Sequence, residues 1–378
     1  MSGRQGELPP NRAKGISRAL GSSRQTKAGR FGILVAAGLA LSLALAACGG
    51  SSGPSTQSSS PTTAPSTAVS ASPSDTSPAA TTAAATPTPS PKPVTAQTVH
   101  IRLLNSDGAT YGVGMPIVAY FSSKITDGNA FAAATVVKVN GAVNHGSWYF
   151  EASSINAGYP IEAHYRPAPT PGVANQFWPA NASITMNMAT QGVSAGAGLA
   201  FDDSLTLSMA TGDAHISYVN CATERMVVKS NGVAVRTPML TSCGAPITPT
   251  ANGIKVVQQL GESAPGTDKL RPNGAVRMVG GGGLLGNYDL IVPWSVRLTN
   301  GGEFVHAAAW NGRNIGARST SDGCTNLNTP DAKWFYNFSR IGDVVIYTNT
   351  GGPAMKPYDG FGEWNLPTSS FNNSPAAA

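Results

Sequence analysis

Between positions 97 and 212 the chain alternates apolar and polar residues in short runs, each closed by Gly, Pro, Asn or Asp. The runs fall at 99–104, 117–121, 135–139, 148–151, 183–189 and 204–209. In Ser183-Ile184-Thr185-Met186-Asn187-Met188 and Ser204-Leu205-Thr206-Leu207-Ser208-Met209 the apolar side chains recur at every second position. That is the period of a strand with one face on a core and the other in water. About seven strands in roughly 115 residues predict an immunoglobulin-like β-sandwich, with Met115, Met186 and Met188 inside it. His100, His145 and His164 are scattered through this stretch, and nowhere in the chain do histidines and acids show metal-ligand spacing. No metal site and no cofactor is expected.

From 213 to 351 the pattern stays mainly β. Runs at 216–219, 225–229 and 234–240 flank Asn231-Gly232, the residue pair that suits a two-residue hairpin turn, where both central positions need positive φ. One helix stands out. Thr329 can cap it, Pro330 suits its first turn, Asp331 complements its dipole, and Trp334, Phe335, Phe338 and Ile341 recur at helical spacing. Gly342 is placed to end it in a left-handed conformation, with strand resuming at 343–349. Residues 352–378 are expected to pack on this second domain as an extension. The predicted class is therefore mainly β: a sandwich at 97–212, then a β-rich domain at 213–351 with one prominent helix.

The first ninety-six residues are of another kind. Seven Lys and Arg against one acid, Glu7, occupy 1–30, an apolar run fills 31–47, and Leu45-Ala46-Ala47-Cys48 closes it ahead of Gly49-Gly50. Basic, then apolar, then small residues describe a secretory signal at 1–47. A cysteine directly after small residues resembles the lipobox of bacterial lipoproteins, which implies acylation of Cys48 and a hold on the outer face of the plasma membrane. An uncleaved spanning helix is the alternative. Residues 51–95 are nearly all Ser, Thr, Pro and Ala, with Asp75 and Lys92 as the charged positions. Such a composition buries too little apolar surface to offset chain entropy, so 48–96 is expected to be a disordered linker reaching on the order of 100 Å. The formal net charge of +6 equals the leader's seven bases less Glu7. The exported part is then near neutral, and no nucleic-acid partner is implied.

Cys221 and Cys243 lie one step out of the register that a turn at Asn231-Gly232 would set, so a single bulge brings them opposite each other. Outside the cytoplasm a disulfide is expected, two free buried thiols being the alternative. Cys324 is left over. It sits in Ser321-Asp322-Gly323-Cys324-Thr325-Asn326, eighteen positions after His306 of Glu303-Phe304-Val305-His306. A thiol is a nucleophile as thiolate, and a nearby imidazole both lowers its pKa and carries its proton. Gly323 suits a tight turn whose N–H groups point at a developing oxyanion.

Histidine, a variable stretch, then Ser-x-Gly-Cys with Arg or Asn two residues on resembles the catalytic domain of bacterial L,D-transpeptidases, the YkuD-type fold. His306, Ser321, Gly323, Cys324 and Asn326 carry that pattern. Thr248-Pro249-Thr250-Ala251-Asn252-Gly253, Tyr288, Trp294, Trp334-Phe335-Tyr336 and Asp359-Gly360-Phe361-Gly362-Glu363-Trp364-Asn365 extend it, and the preceding sandwich resembles the immunoglobulin-like domain of actinobacterial members.

The resemblance implies an acyltransferase of the cell wall. Cys324 would attack the L,D bond between the third residue of a peptidoglycan stem peptide and the following D-Ala, and a neighbouring stem's amine would take the acyl group to form a 3→3 cross-link. It implies His306 as base, oriented by the carbonyl of Ala307. It implies Gly323, Cys324 and Tyr288 around the oxyanion, with Ser321 among the orienting residues, and Tyr288, Gly301, Gly302 and Asn326 on substrate. The glycine-rich stretch 277–285 falls where relatives carry a flap, a floppy surface loop being the alternative. Carbapenem β-lactams are implied inhibitors. Asp322 departs from the histidine common at that position, and a carboxylate facing the sulfur would oppose thiolate formation. Transfer to water or to another amine, and a non-catalytic wall-binding lipoprotein, remain as alternatives.

Overall fold

The computed structural model describes residues 96–153, 158–168, 177–283 and 286–375. The signal, Cys48 and the linker lie outside them. Among the described residues no helix is long and apolar enough to cross a membrane.

The alternating runs form two sheets. Ile101–Leu103, Ile117–Phe121, Ile161–Arg166 and Ser147–Ala152 make one, in that order of neighbours; Thr110–Tyr111, Leu205–Thr211, Ser183–Met188, Thr135–Val139 and Ala142–Asn144 make the other. Their facing side chains, including Phe121, Phe131, Trp148, Phe150, Ile184, Met186 and Met188, make one buried core. Met115 is also buried, but in a second cluster with Val118, Tyr120, Val256, Phe361 and Trp364 that spans sandwich, second domain and tail.

Three expectations need correction. Ile161–Arg166 was not predicted as a strand, yet it is one of the sheet's two inner strands and is buried at every position. Its even-numbered residues, Glu162, His164 and Arg166, are polar but covered by the C-terminal tail, so the strand reads as a solvated loop in one dimension. A short helix at Gly128–Ala133, capped by Asp127, was also missed; one and a half turns leave little periodicity. The predicted helix is Thr329–Phe338, capped by the Asn328 side chain on Asp331 N at 2.9 Å rather than by Thr329. It ends at Phe338, four residues before Gly342, the predicted stop, because Ser339 is extended and its hydroxyl donates to the Phe335 carbonyl.

The second domain has a sheet with the neighbour order Val233–Ala234, Arg225–Ser230, His215–Asn220, Val344–Thr348 and Gly253–Val256. Met239–Leu240 also pairs with Arg225–Ser230. A four-stranded sheet runs Gln259–Leu260, Val296–Arg297, Phe304–Ala307, Thr325–Leu327. Asn231-Gly232 makes the predicted turn, with Ser230 opposite Val233. Further along, Met226 faces Met239, so the returning strand has taken in two extra residues around Pro238 instead of the single bulge expected. Cys221 and Cys243 are joined, with S–S 2.07 Å.

The tail does more than extend the second domain. Asn365 exchanges hydrogen bonds with the backbone of Ile254 in that domain. Trp364 donates to Gly114 O at 2.8 Å, Arg166 stacks over Trp364 and Phe371, and Asn373 pairs with the backbone of Trp148, all in the sandwich. Residues 361–373 thus fasten both domains.

Candidate active site

Parallel pairing of Phe304–Ala307 with Thr325–Leu327 sets His306 beside Asn326 and leaves Cys324 at the mouth of its strand. Hydrogen bonds fix the tautomer of His306. The Ala307 carbonyl, which can only accept, lies 2.9 Å from Nδ1, so Nδ1 carries the proton. Asn311 Nδ2 donates to Asn326 Oδ1 at 2.8 Å, which turns the amide nitrogen of Asn326 toward His306 Nε2, 3.1 Å away. Nε2 therefore presents a lone pair. Trp310 stacks on the ring at 5.9 Å. Burial lowers the His306 pKa to about 4 against a small upward pull from the Ala307 carbonyl.

Cys324 is half-buried, and its thiol faces Gly302 O at 3.7 Å. Burial pushes the thiol up to about 11, with Glu303 and Asp322 adding to the rise and Phe304 backbone and Lys255 opposing it. The expected thiolate held beside an imidazole is thus not the resting state. Both groups are pushed toward their uncharged forms, and each is bonded elsewhere: Nε2 to Asn326, sulfur to Gly302. Nucleophile and base meet only when substrate displaces these bonds, as happens in many resting active sites.

The loop before Cys324 is held from several sides. Ser321 N bonds Cys243 O at 3.1 Å, and Ser321 Oγ bonds Cys324 O at 2.5 Å. Thr250 Oγ1 donates to Gly323 O at 2.8 Å. Gly323 has φ of 109°, open only to glycine without strain. Among the described residues, neither Gly323 N–H nor Cys324 N–H donates to a protein acceptor. Two unengaged amides at a nucleophile are what an oxyanion hole needs. Because Cys243 carries the Ser321 anchor, Cys221→Ala with Cys243→Ala should cost about 3 kcal/mol for a loop of 22 residues. Denaturant unfolding checks it, and a slower reaction of Cys324 with an acyl donor should accompany it.

Glu303 and Lys255 are the residues sequence reading missed. Lys255 has no exposed surface, bonds Glu303 Oε2, and sits 4.0 Å over the Tyr347 ring. Glu303 Oε1 takes Ala251 N–H at 2.7 Å. Burial lowers the Lys255 pKa, with Glu303 and then Cys324 pulling it back. The pair closes the floor under the Gly323-Cys324 turn. Their separation along the chain and the apolar setting of Ile254 and Val256 gave no signal. Asn311 could have been suspected only from the pairing of the strands.

The flap region is a two-stranded hairpin, Val276–Gly283 with Gly286–Val292, whose two tip residues lie outside the described set. Tyr288 on it stands opposite Gly280, where any Cβ would overlap its ring. Burial raises the Tyr288 pKa, and the charge fields of Cys324 and Asp322 add to it. Gly302 is at the thiol, and Gly301 N bonds Asp359 Oδ1 at 2.5 Å. Trp294 packs edge-on to Tyr336. Asp322 Oδ1 accepts from Thr248 Oγ1 at 3.3 Å, and of the two nearby acids Glu303 bears more on the sulfur. Asp322→Asn should therefore change the acylation rate by less than about tenfold; stopped-flow capture of an acyl donor measures it.

Residues 214–346 match the sequence profile of the YkuD L,D-transpeptidase catalytic domain, and the site lies wholly within the match. They form an L,D-transpeptidase catalytic domain. Residues 55–194 match a bacterial Ig domain, beginning inside the stretch expected to be linker. L,D-transpeptidase 2 of Mycobacterium tuberculosis is 30% identical over 293 residues, 75% of this chain and 65% of that protein. L,D-transpeptidase 5 of the same species is 26% identical over 67% of this chain and 51% of that protein. The chain thus spans under two thirds of the length of these two relatives. A solved L,D-transpeptidase in complex with imipenem superposes with a TM-score of 0.51 at 22% identity, over 67% of this chain and 99% of that one, a likeness of fold.

Proposed function

We propose that this protein is an exported L,D-transpeptidase that forms 3→3 cross-links in peptidoglycan through an acyl-enzyme on Cys324. One observation carries the reading: His306 is locked with its proton on Nδ1 and its Nε2 lone pair turned toward the Cys324 strand, above a turn with two unengaged amides. On binding, the stem peptide displaces Gly302 O from the thiol. The sulfur bonds to the carbonyl carbon of the third stem residue as the thiol proton passes to Nε2, and the oxyanion rests on the Gly323 and Cys324 amides and Tyr288. The carbon–nitrogen bond then breaks, the proton goes to the leaving D-Ala amine, and a thioester remains. A side-chain amine of a second stem loses a proton to Nε2 as it attacks, and the sulfur leaves with that proton restored.

Gly301, Gly302 and Asn326 line the approach, and the Tyr288 hairpin covers it. Carbapenems, one of which is bound to the solved relative, should acylate the same sulfur. Cys48 is the proposed lipid anchor, and the 48–96 linker gives the domains reach into the wall. Incubation with a disaccharide tetrapeptide and mass analysis tests the reading. A cross-linked dimer with release of D-Ala is expected. Release of D-Ala alone would make water the acceptor and the protein a carboxypeptidase.

A further inference from the structure

The tail-covered face of the sandwich holds a cluster of ionisable groups that catalysis does not use. Antiparallel pairing puts Glu151 directly opposite Glu162, a like-charge pair that destabilises a sheet unless something compensates. His164, two residues along the same face, points Nε2 at both: 3.2 Å to Glu162 Oε1 and 3.8 Å to Glu151 Oε1. Its Nδ1 lies 3.3 Å from Glu363 Oε1 of the tail. All four side chains are at least nine-tenths buried. Neither oxygen of Glu151 nor of Glu363 has a hydrogen bond of sound geometry. Leaving such carboxylates buried and unsatisfied costs several kcal/mol each, so the arrangement calls for a neutralising partner.

We propose that Glu151, Glu162 and His164 bind one divalent transition-metal ion, zinc, which clasps the sandwich to the C-terminal tail. The three ligand atoms lie within 4.8 Å of one another; ligands around tetrahedral zinc stand about 3.4 Å apart. The second oxygen of Glu151 is available for the fourth position. Glu363 Oε1, 3.3 Å from Nδ1, is placed to serve as the outer-shell carboxylate that orients and strengthens such a ligand. Charge closes as well: three buried carboxylates against Arg166, with neutral His164, leave two negative charges for a dication.

The test uses the purified full chain carrying Cys324→Ser, which removes a competing thiol. The protein is stripped with a chelator, then reloaded with zinc chloride and dialysed. About one zinc per chain is expected by elemental analysis, with a rise in thermal midpoint on the order of 5 °C at a hundredfold excess over Kd. Glu151→Gln should retain almost no zinc, and its midpoint should no longer respond. This variant keeps the shape of the side chain, so folding is not at risk from size, and circular dichroism checks it. Cobalt in place of zinc should give an absorption spectrum of nitrogen and oxygen ligands. No zinc retained and no shift of midpoint in the reloaded protein would overturn the proposal. Equal zinc in Glu151→Gln would overturn it too, as adventitious binding.

Discussion

Cys324→Ala should abolish covalent capture of a carbapenem, and His306→Gln should slow it by about 10²- to 10⁴-fold. Intact-mass spectrometry reads both, with a single adduct in the unmodified protein. The pH dependence tells how the sulfur is activated. With His306 lowered to about 4 and the thiol raised to about 11, a thiol that had to ionise unaided would react tenfold faster per pH unit up to about pH 11. If His306 takes the proton during attack, the rate should be flat from about pH 5 to pH 10, because the reactive neutral pair is fully populated throughout. A tenfold rise per unit across pH 6 to 9 would remove His306 from the role of base. Stability also falls on the acid side. His306 titrates lower in the folded chain than in the unfolded one, so its contribution is fully present above the unfolded value of 6.5 and is lost as pH falls toward 4.

Lys255→Met should destabilise the protein by about 3–5 kcal/mol, since it leaves the Glu303 carboxylate without its buried cation. Adding Glu303→Gln should recover much of that loss, because the uncompensated charge then disappears. Equilibrium unfolding of the two single variants and the double gives the coupling. Losses that simply add would mean that the pair does not act as a unit. Lys255→Met should also slow acylation at neutral pH, as Lys255 is one of two groups opposing the rise of the thiol pKa.

What the chain disclosed depended on the range of each interaction. The Asn231-Gly232 turn and the strand alternation of 183–188 and 204–209 are local and were readable. So was the helix, to within a turn at its end. Ile161–Arg166 was not, because its polar residues face a tail two hundred positions away. His306 and Cys324 stood out through their spacing and setting, but their resting isolation from each other did not. It depends on which atom claims Nε2 and which claims the sulfur, and both claimants, Asn326 and Gly302, are set by strand pairing. Lys255 with Glu303, and the Glu151–Glu162–His164 group, are likewise products of folding.

The stitching of residues 361–373 into both halves has an evolutionary corollary. A recombination event that exchanged the sandwich for a foreign module, with its breakpoint near residue 212, would orphan Trp364, Phe371 and Asn373 from the surfaces they clamp. The two halves must be inherited as one cassette, with the carboxyl terminus co-adapted to the amino-terminal module.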